Sequence, residues 1–260
     1  METTTTISDE VSRATGNLFL DDLSDAAWRL LERSLQRVQL KSGVTVHAPH
    51  ELIREVFFPI ASIVSIVSEM SGHKTLEIGI IGREGLTGVA IALGQQTNAY
   101  RHVVQLSDSS LKVPVKVFRA AFQQDEELNA SLLRYAQATW VATAQSAACN
   151  RAHGINERCA RWLLMAHDRV DGDRIALTQI FLSQMLGVRR AGVTEAAVAL
   201  QDAGLIEYSR GHIIVRDRKL LEAAACECYR TLERNWSTIM GYSPSKSLTS
   251  ASRRKVRRAS

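Results

Sequence analysis

What the chain lacks narrows its function before any motif is read. It has only four cysteines in 260 residues, Cys149, Cys159, Cys226 and Cys228, too few for a disulfide framework, and a reducing compartment suits them. Cys226 and Cys228 lie two apart in a stretch, 220–236, that reads as one helix. On a helix such a pair points to different faces and chelates poorly. The histidines are scattered, with no HExxH and no paired CxxC, so neither a metal site nor a cofactor is expected. No apolar run approaches the roughly 20 residues of a membrane helix, and residues 1–16 are Thr-rich and acidic, without the hydrophobic stretch of an export signal. A cytoplasmic protein with no membrane partner is the expectation. Also missing are a nucleophile beside a base, paired carboxylates and a phosphate-cradling glycine loop, so no catalytic residue is assigned and an enzyme is not expected.

What is present is a chain with 45% hydrophobic residues, enough to build a real core in one large or two ordinary domains. Its formal charge of +5 belongs to the C-terminus. Lys246, Arg253, Arg254, Lys255, Arg257 and Arg258 stand there without an acid, which leaves the remainder close to neutral. Global basicity therefore says little about the folded part. Residues 237–260 are expected to form a disordered basic tail and residues 1–16 a disordered N-terminus.

Ser24 can cap a first helix carrying Ala27, Leu30, Leu31 and Leu35 at the helical period. From about Val38 the texture changes to short β-branched runs at 44–46, 63–67, 76–81, 103–106 and 111–115, punctuated by glycine and proline. Such strands at such spacing predict an antiparallel sandwich or barrel over residues 17–125. A long helix follows over 126–153, with two apolar stripes: Leu128, Leu132, Tyr135, Ala142 and Cys149, and Leu133, Ala136, Trp140, Ala144 and Ala147. One stripe is read as docking on the sheet domain and the other as the seam of a homodimer. His153, Gly154 and Asn156 break the pattern and mark the boundary to a third region, 154–236.

That region carries the chemistry. Thr178 caps a short helix, 179–186; Gly187 supplies a left-handed turn; and a second helix, 190–203, packs through Val193, Ala196, Ala197 and Leu200 until Gly204 ends it. Arg190, Ala191, Thr194 and Glu195 cover the opposite arc. Arg190 can bond a guanine at O6 and N7, Glu195 can accept from a cytosine amino group, and Thr194 can meet a thymine methyl or a base edge. Arg189, in the turn, is placed for phosphate. Two short strands, 205–208 and 212–215, joined by Ser209-Arg210-Gly211, form a wing from which Arg210 and His212 can reach the backbone. The expected fold is α+β: an N-terminal β-roll, a dimerisation helix and a C-terminal winged helix-turn-helix. The expected partner is a double-stranded DNA operator.

With these parts in this order, the sequence resembles the Crp/Fnr family of regulators from about Leu20 to Tyr229, most specifically over 177–206, LTQIFLSQMLGVRRAGVTEAAVALQDAGLI. The resemblance implies a β-roll of the cyclic-nucleotide-binding type. It places Arg190 at the family's base-reading arginine and Ala191 and Glu195 at two further reading positions, where the family often has Glu and Arg. A different operator follows. It also implies a homodimer on a near-palindromic operator and makes RNA polymerase a further candidate partner. In the sensor half only Glu84 and Arg101 approach the family's nucleotide-binding pattern, and the Ser-Ala or Thr-Ala that should follow the arginine is missing. Both are weak candidates and the effector stays unassigned. The N-terminal cysteines of the family's iron-sulfur sensors are absent. The competing reading is a module whose output is binding of a cyclic nucleotide or other small ligand, with the helix-turn-helix as scaffold. A redox role for Cys149 at the end of the long helix would require exposure and a lowered pKa.

Overall fold

The computed structural model describes residues 5–7, 13–71, 74–209 and 211–245. The chain divides into two compact units, 1–137 and 138–260. The division falls inside the long helix, not at the expected break near His153.

The first unit opens with strand β1 (Thr5–Ile7) and helices α1 (Leu18–Asp21) and α2 (Asp25–Leu31). Ser24 caps α2 by accepting from the Ala27 amide at 3.2 Å. Leu35 lies beyond that helix, which gives way to a 3-10 turn after Leu31. Strands β2 (Gln36–Leu40), β3 (Thr45–His47), β4 (Glu55–Pro59), β5 (Ile63–Met70), β6 (Lys74–Ile81), β7 (Arg101–Leu106) and β8 (Asp108–Pro114) follow. They form two antiparallel four-stranded sheets, ordered β1-β2-β8-β4 and β3-β7-β5-β6. Val38, Leu40, Phe57, Val64, Ile81 and Val104 fill the space between them. Two of these strands, β2 and β4, go beyond the runs expected from sequence. In β2 only Val38 and Leu40 turn inward, so its signal is a bare two-residue alternation. The expected disorder of residues 1–16 is corrected at Thr5–Ile7, which pairs with β2, and at Thr15, whose amide and hydroxyl both bond the Asp21 carboxylate at 2.8 Å.

Helix α3 (Val115–Gln124) is followed by the long α4 (Glu126–Ala152). In the first unit α4 is anchored by Tyr135, whose hydroxyl donates to the Leu86 carbonyl at 2.9 Å. Tyr135 lies so close to Gly85 that a Cβ there would sit 2.2 Å from the ring. Leu128 and Leu132 are buried on the same side. Leu133 and Trp140, on the other stripe, are 47% and 72% exposed.

The second unit contains α5 (Ile155–His167), β9 (Arg174–Ala176), α6 (Gln179–Leu186), α7 (Arg190–Asp202), β10 (Ile206–Ser209), β11 (His212–Val215), α8 (Arg218–Ala224) and α9 (Cys228–Met240). Glu157 reaches back to the Gly154 amide at 3.0 Å, which holds the start of α5 at Ile155. The strands form an antiparallel sheet ordered β10-β11-β9. Its third strand, β9, arises just after the turn at 171–173, from a segment too short to register as periodic. A buried ion pair, Arg218 to Asp168 at 2.7 Å, ties α8 to the end of α5, and the Tyr229 hydroxyl donates to the other Asp168 oxygen at 2.9 Å.

Two expectations for the C-terminus are corrected here. The chain is ordered past residue 237: α9 runs to Met240, and Ser243 and Ser245 are buried. Residues 246–260 lie outside the described residues. The single helix expected over 220–236 is broken at 225–227, so Cys226 lies in a link and Cys228 opens α9. The argument that these thiols face apart, and with it the basis for excluding a metal site, no longer holds. Among the described residues no helix is long and apolar enough to cross a membrane.

Candidate nucleic-acid interface

Helix α6 begins where the Thr178 hydroxyl accepts from the Phe181 amide at 3.3 Å, and it ends at Gly187, whose φ of 64° only glycine adopts without strain. That residue turns the chain sharply enough for α7 to cross α6. Val193, Ala196, Ala197 and Leu200 of α7 are buried, as their spacing predicts. Gly192 lets Ile155 approach closely, since a Cβ there would meet the Ile155 methyl at 3.1 Å. Buried Arg158 of α5 bonds the Asn150 carbonyl at 3.1 Å and also the Leu186 carbonyl, capping the end of α6 and fixing the turn from below. The turn is thus held by a charged group that has exchanged its water for two carbonyls, an arrangement that costs several kcal/mol to leave unsatisfied.

The predicted face points outward. Arg189, Arg190, Ala191 and Glu195 are exposed and Thr194 is half-buried. The Thr194 hydroxyl donates to the Arg190 carbonyl at 3.1 Å, so its methyl is the group left toward a ligand. Among the described residues, neither Arg189, Arg190 nor Glu195 makes a hydrogen bond or ion pair through its side chain, whereas Arg216 is engaged with Glu207. The wing register pairs Ser209 with His212, a two-residue hairpin with Gly211 at φ 82°. His212 is half-buried with its Nδ1 enclosed and unpartnered among the described residues, so it is less available to phosphate than expected. Arg210 lies outside the described residues.

In the first unit the two nucleotide candidates are spent locally. Arg101 pairs with Glu69 at 2.7 Å, and Glu84 is buried and accepts from the Gly82 amide at 3.2 Å. The interior instead holds polar groups that sequence reading missed. His47 Nε2 lies 2.8 Å from the Thr87 hydroxyl, and the His102 ring packs edge-on at 5.2 Å. Burial lowers the pKa of His47 to about 4. Burial, reinforced by His47, lowers that of His102 to about 3. Both are neutral near pH 7. The Ser65 hydroxyl bridges Glu77 at 2.6 Å and Gln105 at 2.7 Å. Only alternation along β3, β5 and β7 could have hinted that these side chains turn inward.

Residues 157–224 match the Crp-like helix-turn-helix domain family. No curated protein matches the sequence. Among solved structures, the fold is similar to FixK2 from Bradyrhizobium japonicum at 14% identity, with a TM-score of 0.59 over 74% of this chain and 98% of that one. It is similar to TTHB099, a CRP-family transcriptional regulator from Thermus thermophilus, at 15% identity, with a TM-score of 0.58 over 72% and 95%. The c-di-GMP-responsive global regulator CLP of Xanthomonas campestris is matched at 15% identity, with a TM-score of 0.56 over 75% and 100%.

Proposed function

We propose that the chain is a DNA-binding transcription regulator of the Crp/Fnr type, a reading supported by the Crp-like helix-turn-helix match over residues 157–224, and that it acts as a homodimer whose two copies of α7 read successive major grooves of a near-palindromic operator. The observation that carries this reading is the first turn of α7: Arg189 and Arg190 are exposed and have no side-chain partner among the described residues, on a helix whose other face is buried. An arginine left uncommitted at the start of such a helix is available for a guanine, and its neighbour in the turn for phosphate. Glu195, one turn on, selects a cytosine amino group. Dimerisation is supported by the exposed stripe of α4, where Leu133, Trp140, Ala144 and Ala147 present apolar surface that a second copy would cover. Half-sites about 34 Å apart follow from a two-fold dimer.

The competing reading, a ligand module with an idle helix-turn-helix, gains nothing from the geometry. Arg101 is taken up by Glu69 and Glu84 by a backbone amide, so the cyclic-nucleotide candidates have other work. The experiment is a footprint of the protein on DNA upstream of its own gene, with and without cyclic AMP at fixed salt. Two protected half-sites a helical turn apart, unchanged by the nucleotide, are the expected result. Protection that appears only with cyclic AMP would restore Glu84 and Arg101 as ligands, and the absence of protection under both conditions would count against autonomous operator binding.

A further inference from the structure

Away from the reading face, the second unit gathers four side chains that DNA binding does not use. Cys149 lies near the end of α4, and His153 follows four residues later on the same side of the chain. Cys226 stands in the link between α8 and α9, and Cys228 is the first residue of α9. The Cys149 and Cys226 sulfurs are 3.5 Å apart, Cys228 Sγ is 3.7 Å from His153 Nδ1, and the four donor atoms all lie within 4.8 Å of one another. A tetrahedral zinc ion with bonds of about 2.3 Å to sulfur and 2.0–2.1 Å to nitrogen has donor-to-donor edges of about 3.5–3.8 Å. The set is therefore already close to the size of one ion's coordination shell.

The surroundings match a ligand set better than a patch of core. All three thiols are buried, which a core reading also explains. It does not explain why an imidazole is turned inward with its Nδ1 on a thiol while its Nε2 lies 3.1 Å from Glu227 Oε1. A carboxylate behind an imidazole fixes the tautomer and aims the other nitrogen, the arrangement that metal-binding histidines use. The Gln145 amide nitrogen lies 3.1 Å from Cys228 Sγ, a donor suited to a thiolate. Three sulfurs and one nitrogen, with no oxygen donor in the cluster, select a soft tetrahedral ion over magnesium or calcium. Convergence on one point favours a single ion over an iron-sulfur cluster, whose thiolates bind different irons.

We propose that Cys149, His153, Cys226 and Cys228 form a zinc site. With four protein donors it is closed and structural, having no open position for a substrate. It ties the end of α4 to the start of α9 within the second unit. The break between α8 and α9 is what allows Cys226 and Cys228 to face the same ion.

The test is metal analysis of the full-length protein purified under reducing conditions, followed by exchange with cobalt. About one zinc per chain, with thiolate-to-cobalt charge-transfer bands and the intense d–d bands of a tetrahedral site after exchange, is the expected result. Cys226→Ser combined with Cys228→Ser should drop the zinc to below about a tenth per chain, while Cys159→Ser leaves it unchanged. Should the double variant fail to fold, Glu227→Gln keeps every ligand and is expected to weaken zinc binding about 10- to 100-fold in chelator competition. Three results would overturn the proposal: a reduced protein that takes up neither zinc nor cobalt, iron bound together with inorganic sulfide, or a Cys149–Cys226 disulfide as the state of the purified metal-free chain.

Discussion

Arg190 in the second unit and Arg101 in the first are both cations in family-like positions, yet they stand in opposite conditions. Arg190 stands exposed on the first turn of α7 with no partner among the described residues. Arg101 lies on a strand beside β5, where Glu69 takes it up at 2.7 Å. The difference lies in the range of the interactions. What frees Arg190 is a local pattern, a cap, a glycine and an apolar stripe within twenty residues. What neutralises Arg101 is a partner more than thirty residues away, brought near only by strand pairing. A motif held together by local contacts can be read for function; a motif whose partners are assigned by a sheet cannot.

The sharpest way to break this contrast is to attack the support of the reading unit away from its surface. Arg218→Ala strips the buried Asp168 carboxylate of its cationic partner while the Tyr229 hydroxyl stays against it. Removing one member of a buried pair costs about 3–5 kcal/mol, and thermal unfolding should show it. A loss below about 1 kcal/mol would mean that water reaches Asp168 and the pair acts as a surface one. The polar interior of the β-roll makes a different prediction, set by pH. His47 and His102 have folded pKa values near 4 and 3, below the 6.5 of the unfolded chain. The unfolded state therefore binds more protons as pH falls. Stability is full above pH 6.5 and is lost as pH drops toward the folded values, by about 2–4 kcal/mol at pH 5. Denaturant titrations between pH 7.5 and 4.5 measure this, and His102→Gln should remove about half of the slope.

At the interface itself the effect is smaller per site but specific. Arg190→Ala should cost about 1–3 kcal/mol for each half-site and relax the base preference there, while leaving weak, salt-sensitive binding to any duplex. A filter-binding series on operator and scrambled DNA distinguishes the outcomes. Equal losses on both would reassign Arg190 to phosphate and give base reading to Glu195 or the wing.

How much the sequence revealed follows the same division. The helix-turn-helix was legible almost to the residue, because Thr178, Gly187 and the Val193-Ala196-Ala197-Leu200 stripe are local devices and each does in the structure what its chemistry dictates. The β-roll was legible as a class, but β2 and β4 were missed and the His47–Thr87 contact spans forty residues. The cysteines were misread for a related reason. Periodicity continued α8 into α9, whereas the chain breaks at 225–227, and a break of three residues reverses which side chains face each other. A constellation assembled from 149, 153, 226 and 228 has no local signature at all.

The smallest effect tests whether the local reading is energetically real. Thr178→Ala removes the side-chain acceptor that caps the start of α6, leaving the Phe181 amide without its 3.3 Å partner. Caps of this kind are worth about 1 kcal/mol, so global stability should fall by that amount. Operator affinity should change little, because the reading residues sit on α7, whose position depends on Gly187 and on Arg158 holding the Leu186 carbonyl. Thr178→Ser should recover most of the loss, since a serine hydroxyl caps as well as threonine's. A stability loss rescued by serine with affinity intact would show that α6 is a supporting helix. An affinity loss that exceeds the stability loss would place Thr178 itself at the DNA, where a helix N-terminus with a hydroxyl is suited to phosphate.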